Sequence, residues 1–127
     1  MSFDWTEFLT LAEELLQNPD SPGPREASLR SAVSRAYYAA YRFALNFERD
    51  RNEYTPSGYA TDQIGLVKHF QSSPDRDRRK LGVDIDRLRL NRGQADYNDV
   101  LENDPMQLAR SSVEKAREVL DALNSLQ

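Results

Sequence analysis

The chain has 127 residues, a formal net charge of −4, no cysteine and one histidine, His69. This length predicts one domain, residues 1–127, that can bury a hydrophobic core, and the lack of cysteine excludes disulfides, thiolate catalysis and cysteine-ligated zinc or iron–sulfur sites. The acidic balance argues against a strong non-specific DNA-binding protein, which needs a positive field.

Two helices are predicted in the first half of the chain. Apolar residues near the start recur in steps of three and four, and Asp4 and Glu7 have the spacing of a capping box. The segment NPDSPGP, residues 18–24, ends the first helix, and Pro24 suits the first turn of a second helix over about residues 25–53. The inner face of this second helix is expected to contain Val33, Ala36, Tyr37, Ala40, Ala44 and Phe47.

Three further helices are predicted in the second half. A short helix is expected around residues 61–71, and another begins after residues 73–74. In the last helix Asp104 is the expected N-cap, with Pro105 in the first position and Gln107 completing a capping box. The inward residues are expected to be Ile64, Val67 and Phe70 in the third helix, Leu81, Ile85 and Leu88 in the fourth, and a narrow seam of Met106, Ala109, Val113, Ala116, Leu120 and Leu123 in the fifth.

No segment alternates between apolar and polar residues as a half-buried strand does. The pattern therefore predicts an all-α fold, an up-down bundle of four to five helices that are mostly antiparallel because the loops are short. The first residues do not resemble a secretory signal, and no apolar stretch is as long as a membrane-spanning helix, which needs about 20 residues. We expect a soluble, cytoplasmic protein without membrane contact.

The segment SRAYYAAYRFALNF, residues 34–47, places small residues along one stripe of the second helix. Alanine at every fourth position lets another helix approach closely, and Tyr37, Tyr38 and Tyr41 flank that stripe. Two interpretations stay open. The stripe serves tight helix packing, or the tyrosines line a groove at a dimer seam or a ligand pocket.

In the segment RLRLNRGQADYNDV, residues 87–100, an arginine occupies a position of the apolar stripe. Four residues beyond Leu88 the stripe reaches Arg92, whose guanidinium should point towards the bundle or towards a partner. A buried guanidinium must be paired or hydrogen-bonded, and Asp96, four residues on, is the nearest candidate. The pair either closes the helix end or belongs to a phosphate or RNA cleft.

Residues 75–92 are the one clearly basic region, with seven basic and four acidic side chains. They form either a solvated mixed-charge helix face or a nucleic-acid contact surface. His69 has no second histidine or cysteine to share a metal with, so we interpret it as a partly buried, hydrogen-bonded side chain. No metal site or cofactor is predicted, because aspartates scattered on helices are a weak signal for a cation and no phosphate-binding glycine loop is present.

Two segments resemble the HEPN family of small helical proteins, mostly from prokaryotes: SRAYYAAYRFAL on the second helix and LRLNRGQADY towards the end of the fourth. The second segment is similar to the family's Arg-x-x-Ala-Asp-Tyr ending, with Arg92, Ala95, Asp96 and Tyr97 in place. The resemblance implies a bundle that commonly dimerises, with the paired motifs facing a cleft. Many members are metal-independent RNases with a histidine four to six residues after the arginine. Others lack it and act as non-catalytic partners, often beside a small nucleotidyltransferase in toxin–antitoxin or defence operons.

This chain departs from the nuclease pattern, because Tyr97 stands where the histidine is due and Gly93 follows Arg92 in place of a polar residue. Cleavage through the 2′-hydroxyl needs a base with a pKa near the operating pH, and histidine, near 6.5, suits this better than tyrosine, near 10. The candidate catalytic residues are Arg92, Tyr97 and, only if the fold carries it to the cleft, His69.

We therefore expect a HEPN-like homodimeric module without efficient nuclease activity, which binds RNA, a nucleotide or a partner protein in a toxin–antitoxin, defence or stress context. The alanine stripe and the seam of the last helix are its candidate dimer surfaces. Two alternatives are a metal-independent endoribonuclease toxin and a purely structural helical adaptor. The candidate ligand-binding residues are Arg89, Arg92, Asp96, Tyr97, Tyr37 and Tyr41.

Overall fold

A computed structural model describes residues 2–126, which form five α-helices and contain no β-strand. The all-α prediction is thus confirmed, and the fifth helix lies within the expected number. The helices are α1 (Thr6–Gln17), α2 (Arg25–Arg51), α3 (Asp62–Gln71), α4 (Arg76–Tyr97) and α5 (Pro105–Ser125). Within the described residues, no helix is both long enough and apolar enough to cross a bilayer.

Helix α2 is the centre of the bundle. It packs against α1, α4 and α5, whereas α3 packs mainly on α4. Its 27 residues make it about 40 Å long, so it reaches all three neighbours. The six residues predicted for its inner face are all buried. Because the alanine stripe is covered by other helices of the same chain, it is not available as a dimer surface.

Helices α3 and α4 approach each other closely at Gly82. A Cβ at this position would lie 2.8 Å from Gln71 Cγ and 3.0 Å from both the Gln71 nitrogen and the Val67 carbonyl oxygen. Two of these three atoms are backbone, so they cannot move aside as a flexible side chain can. The contact therefore requires glycine, which lets α3 pack closely against the first half of α4.

The start of α5 follows the prediction, and the start of α1 departs from it. Asp104 is the N-cap of α5 and accepts a hydrogen bond from the Gln107 nitrogen (3.4 Å). Asp75, which was not predicted as a cap, is the N-cap of α4 and accepts a hydrogen bond from the Arg78 nitrogen (3.3 Å). Pro105 is the first residue of α5, as predicted. The expected Asp4–Glu7 capping box is wrong. The Asp4 carboxylate instead binds Thr6, the first residue of α1, through its nitrogen (3.0 Å) and hydroxyl (2.6 Å).

One prediction about an inward face is wrong, and another is too narrow. Ile64 is 47% exposed, because the buried stripe of α3 runs through Leu66 and Phe70 and leaves Ile64 on the opposite side of the helix from Leu66. The seam of α5 is wider than predicted, since α5 packs against α1, α2 and α4 together. It also buries Leu108, Ser112 and Val119. This face is therefore internal and is not a dimer surface either.

Candidate functional site

Arg92 lies near the end of α4 with only 15% of its side chain exposed. Its Nη1 is 3.4 Å from Asp96 Oδ2, and its Nη2 is 3.4 Å from Gln63 Oε1 on α3. The inward direction and the Asp96 partner agree with the prediction from the apolar stripe. Both distances are longer than the about 2.7–2.9 Å of a strong charge-assisted hydrogen bond, so the guanidinium is held loosely.

Three tyrosine rings surround the same guanidinium. The Arg92 Cζ lies 5.5 Å from the ring centre of Tyr37, 5.7 Å from that of Tyr38 and 5.8 Å from that of Tyr97. These distances fall within the range of cation–π attraction, about 6 Å. Tyr37 is completely buried, whereas Tyr97 is 75% exposed. We call this group the Arg92 cluster; its members are Tyr37, Tyr38, Gln63, Arg92, Asp96 and Tyr97.

The floor of the Arg92 cluster joins three helices. The Tyr37 hydroxyl on α2 donates to Gln63 Oε1 at 2.7 Å, and the same oxygen accepts the contact from Arg92. Burial, with a smaller contribution from the neighbouring Tyr41, raises the pKa of the Tyr37 hydroxyl well above its ordinary value. The hydroxyl therefore stays protonated and acts as a fixed donor that orients Gln63.

Arg92 has an unused donor. Its Nε is buried and has no hydrogen-bond partner among residues 2–126. Burial opposes the charge, but the interactions with Tyr38, Tyr97 and Asp96 outweigh it, and the pKa of Arg92 is raised. A buried donor without a partner is uncommon in folded proteins. The cluster thus contains a permanent positive charge whose hydrogen-bonding capacity is only partly used.

The end of α4 is held by Arg30 from α2. Its Nη1 donates to the carbonyl oxygens of Ala95 (3.1 Å) and Asn98 (2.6 Å), and its Nη2 donates to that of Asp99 (3.3 Å). The last carbonyls of a helix have no partner within the helix and attract cations. Arg30 therefore fixes the turn that presents Tyr97. Sequence reasoning missed it, because its partners lie 65 or more positions away.

Two other predicted ligand-binding residues are not direct members of the Arg92 cluster. Arg89 is bound to Asp86, with its Nη2 2.9 Å from Oδ1. Tyr41 is buried and reaches the cluster only by stacking on Tyr37, at 5.7 Å between ring centres and 9° between planes. The cluster therefore brings together four of the six predicted residues and adds Tyr38 and Gln63.

His69 is not brought to the Arg92 cluster. Its Nε2 lies 2.7 Å from Oε1 of the fully buried Glu48, which also pairs with Arg78 and accepts from Asn52 Nδ2 at 2.8 Å. Arg78 and Arg92 are 14 positions apart on α4, which is about 21 Å along the helix. The interpretation of His69 as a partly buried, hydrogen-bonded side chain is confirmed, and its role as a base beside Arg92 has no geometric support.

The buried Glu48 stays ionised because of these partners. Burial alone would raise the pKa of its carboxyl group, but the hydrogen bonds from Arg78, His69 and Asn52 outweigh burial and lower it. We call Glu48, Asn52, His69 and Arg78 the Glu48 network. It fastens α2 to α3 and to the start of α4, at the far end of α4 from the Arg92 cluster.

Four of the seven basic side chains of residues 75–92 form ion pairs within the described part of the chain. Arg78 pairs with Glu48, Lys80 with Asp84, Arg89 with Asp86 and Arg92 with Asp96. This favours the mixed-charge interpretation over a continuous nucleic-acid surface. Among the described residues, no three acidic or histidine side chains come together in a way that could hold a metal ion. Comparisons with known family models, curated proteins and solved structures find no match to this chain.

Proposed function

We propose that this chain is a HEPN-like helical module that forms a homodimer and binds single-stranded RNA through the Arg92 cluster without cleaving it efficiently. The observation that carries this proposal is the loosely held Arg92 guanidinium, with a buried unused donor, beside the exposed ring of Tyr97. In a HEPN setting such a module acts as a non-catalytic partner, for example of a nucleotidyltransferase in a prokaryotic toxin–antitoxin or defence pair.

The chemistry of the Arg92 cluster suits a nucleotide of a flexible single strand. Arginine presents a planar set of donors that matches phosphate, and its long contacts to Asp96 and Gln63 can be exchanged for shorter bonds to a phosphate oxygen. Single-stranded RNA offers unstacked bases, which bind by stacking on aromatic rings. Tyr97 is the exposed ring nearest to the charge, so one nucleotide can engage both.

Cleavage is disfavoured by the absence of a suitable base beside Arg92. The one histidine of the chain is bound to Glu48 at the other end of α4. The nearest buried hydroxyl, that of Tyr37, has a raised pKa and donates to Gln63. A base must lose its proton near the operating pH to be effective. These features support binding over endoribonuclease activity.

An exposed apolar stripe on α4 supports self-association. Val83 and Leu90 are both exposed and lie seven residues apart, so they share one face of the helix. Gly93 lies next to this stripe, and a Cβ built there would meet nothing within 4 Å. Apolar residues in such a row are typical of a helix–helix contact. A second copy that packs here would leave the Arg92 cluster open, because Arg92 lies two positions from Leu90 and therefore on the opposite side of α4.

The proposal is tested by fluorescence anisotropy with a labelled, unstructured RNA oligomer. Wild type should bind, and Arg92→Gln should weaken binding by about 10-fold or more, the loss expected for one charge-assisted hydrogen bond. Arg76→Gln is the matched control, because Arg76 is an exposed arginine on the same helix and has no ion-pair partner among the described residues.

The same samples are run on a denaturing gel after incubation. Intact RNA with wild type supports a binding module, whereas cleavage that Arg92→Gln abolishes would favour the endoribonuclease alternative. A folded dimer that does not bind RNA would contradict the RNA part of the proposal and leave the structural adaptor.

A further inference from the structure

A second concave surface lies on the other flank of α4, between α4 and α5. Asn91 of α4 faces this side and donates to the Ser112 hydroxyl of α5 at 3.1 Å, whereas Arg92, the next residue, faces α3. The groove has a volume of about 640 Å³, within the about 300–1,000 Å³ typical of small-molecule sites. We call it the α4–α5 groove. None of the residues of the Arg92 cluster lines it.

The α4–α5 groove is positive in an otherwise acidic chain. Arg87, Arg110 and Lys115 line it, against one acidic residue, Glu114. Lys115 is already shared between Asp84 at 3.3 Å and Glu118 at 3.8 Å.

Arg87 and Arg110 differ from Lys115. Neither has a hydrogen bond or an ion pair from its side chain within residues 2–126. Two guanidinium groups on facing helices are therefore available to one ligand. Arginine pairs of this kind favour planar or tetrahedral anions, above all phosphate.

The rest of the lining consists mainly of neutral polar groups. Asn91 is only 8% exposed and forms part of the floor, and Asn103 and Gln107 contribute further amides at the start of α5. A carboxamide both donates and accepts hydrogen bonds, so it can hold the uncharged polar part of a ligand. A site with a few fixed polar groups beside a charged anchor recognises an orientation as well as a charge.

We propose that the α4–α5 groove binds a phosphorylated small molecule of about the size of a mononucleotide. Arg87 and Arg110 hold its phosphate, and Asn91, Asn103 and Gln107 hydrogen-bond to its uncharged polar part. This inference is independent of the Arg92 cluster, which lies on the opposite flank of α4. A terminal phosphate of an RNA strand offers the same anchor chemistry, so the test separates a free nucleotide from an RNA end.

The experiment is isothermal titration calorimetry of the full chain at fixed ionic strength with adenosine 5′-monophosphate, adenosine and inorganic phosphate. We expect saturable binding of the nucleotide and weaker binding of adenosine. Arg87→Gln and Arg110→Gln should each weaken nucleotide binding by about 10-fold or more, as expected for the loss of a charge-assisted hydrogen bond. Both residues are exposed, so the variants should remain folded, which circular dichroism checks.

Two controls separate this site from the rest of the chain. Arg76→Gln removes an exposed α4 arginine outside the groove, and Arg25→Gln removes an exposed arginine of α2. Both should bind the nucleotide like wild type. If a short RNA with a 5′-phosphate binds more tightly than the nucleotide, and this binding is lost in Arg87→Gln/Arg110→Gln, the groove is supported as a phosphate site for an RNA end.

Three results would overturn the proposal. The first is the absence of saturable binding of any phosphate-bearing probe to wild type. The second is unchanged nucleotide affinity in the folded double variant. The third is loss of nucleotide binding in Arg92→Gln alone, which would move the nucleotide to the Arg92 cluster and leave the proposed RNA function intact.

Discussion

The Glu48 network makes a strong prediction about stability. Glu48→Gln keeps the size of the side chain but removes the charge that faces both Arg78 and His69, while Glu48 itself is fully buried. Breaking a buried ion pair by removing one partner typically costs about 3–5 kcal/mol. Arg78 and His69 retain some contact with water, which places the expected loss near the lower limit, about 3 kcal/mol.

Urea unfolding followed by circular dichroism measures this loss. A domain of this size has a total stability of about 5–15 kcal/mol, so the variant should have a clearly lower midpoint. Glu102→Gln is the control, since Glu102 is exposed and has no ion-pair partner in the described part of the chain; it should unfold like wild type. A loss below about 1 kcal/mol in Glu48→Gln would refute the reasoning, because that is the range of a surface pair.

The pH dependence gives a second reading of the same network. The pKa of Glu48 in the folded chain lies below its ordinary value of 4.5. The ionised carboxylate therefore contributes fully to stability above the pKa of Glu48 in the unfolded chain, and this contribution is lost as the pH falls through the pKa in the folded chain. The stability difference between wild type and Glu48→Gln should therefore be largest near neutral pH and shrink below pH 4.5. A difference that stays constant from neutral to strongly acidic pH would show that the charge of Glu48 is not its source.

Three further predictions concern packing and assembly. Gly82→Ala should destabilise the chain by about 1–3 kcal/mol, because its Cβ meets backbone atoms of α3. Gly93→Ala, whose Cβ enters open space, should stabilise the chain by up to about 1 kcal/mol through helix propensity, so urea unfolding should show changes of opposite sign in the free energy of unfolding of the two variants. Arg30→Gln should lower the free energy of unfolding by about 2 kcal/mol and also weaken RNA binding, because it releases the turn that presents Tyr97. Arg25→Gln, at a more exposed arginine of α2, should change neither the stability nor the RNA affinity. Leu90→Glu should convert a dimer into a folded monomer in sedimentation velocity, and an unchanged sedimentation coefficient would remove the α4 stripe from the interface.

Local spacing predicted much of the fold. The buried faces of α2 and α4 follow from apolar residues three and four positions apart, and the Arg92–Asp96 pair follows from the same rule. These features depend on residues within one or two turns of a single helix. Local spacing failed for Ile64, whose apolar side chain fits the periodicity but lies on the side of α3 away from α4 and the core.

Contacts between distant residues could not be predicted in this way. Glu48, near the end of a long helix beside other charged residues, reads as a solvated acid, yet it binds His69 and Arg78, 21 and 30 positions away. Arg30 likewise looks like an exposed helix arginine until α4 ends beside it. Both pairings depend on which helices are neighbours, and hydrophobic periodicity alone does not determine that arrangement.

We propose that Arg92 and Tyr97 together contact one nucleotide of single-stranded RNA. The most direct measurement is ultraviolet crosslinking of the wild-type chain to a uridine-containing oligomer, followed by mass spectrometry of the crosslinked peptide. We expect a crosslink at Tyr97 that Arg92→Gln strongly reduces and Arg76→Gln leaves unchanged. Crosslinks confined to other residues, with Tyr97 unmodified at saturating RNA, would contradict it.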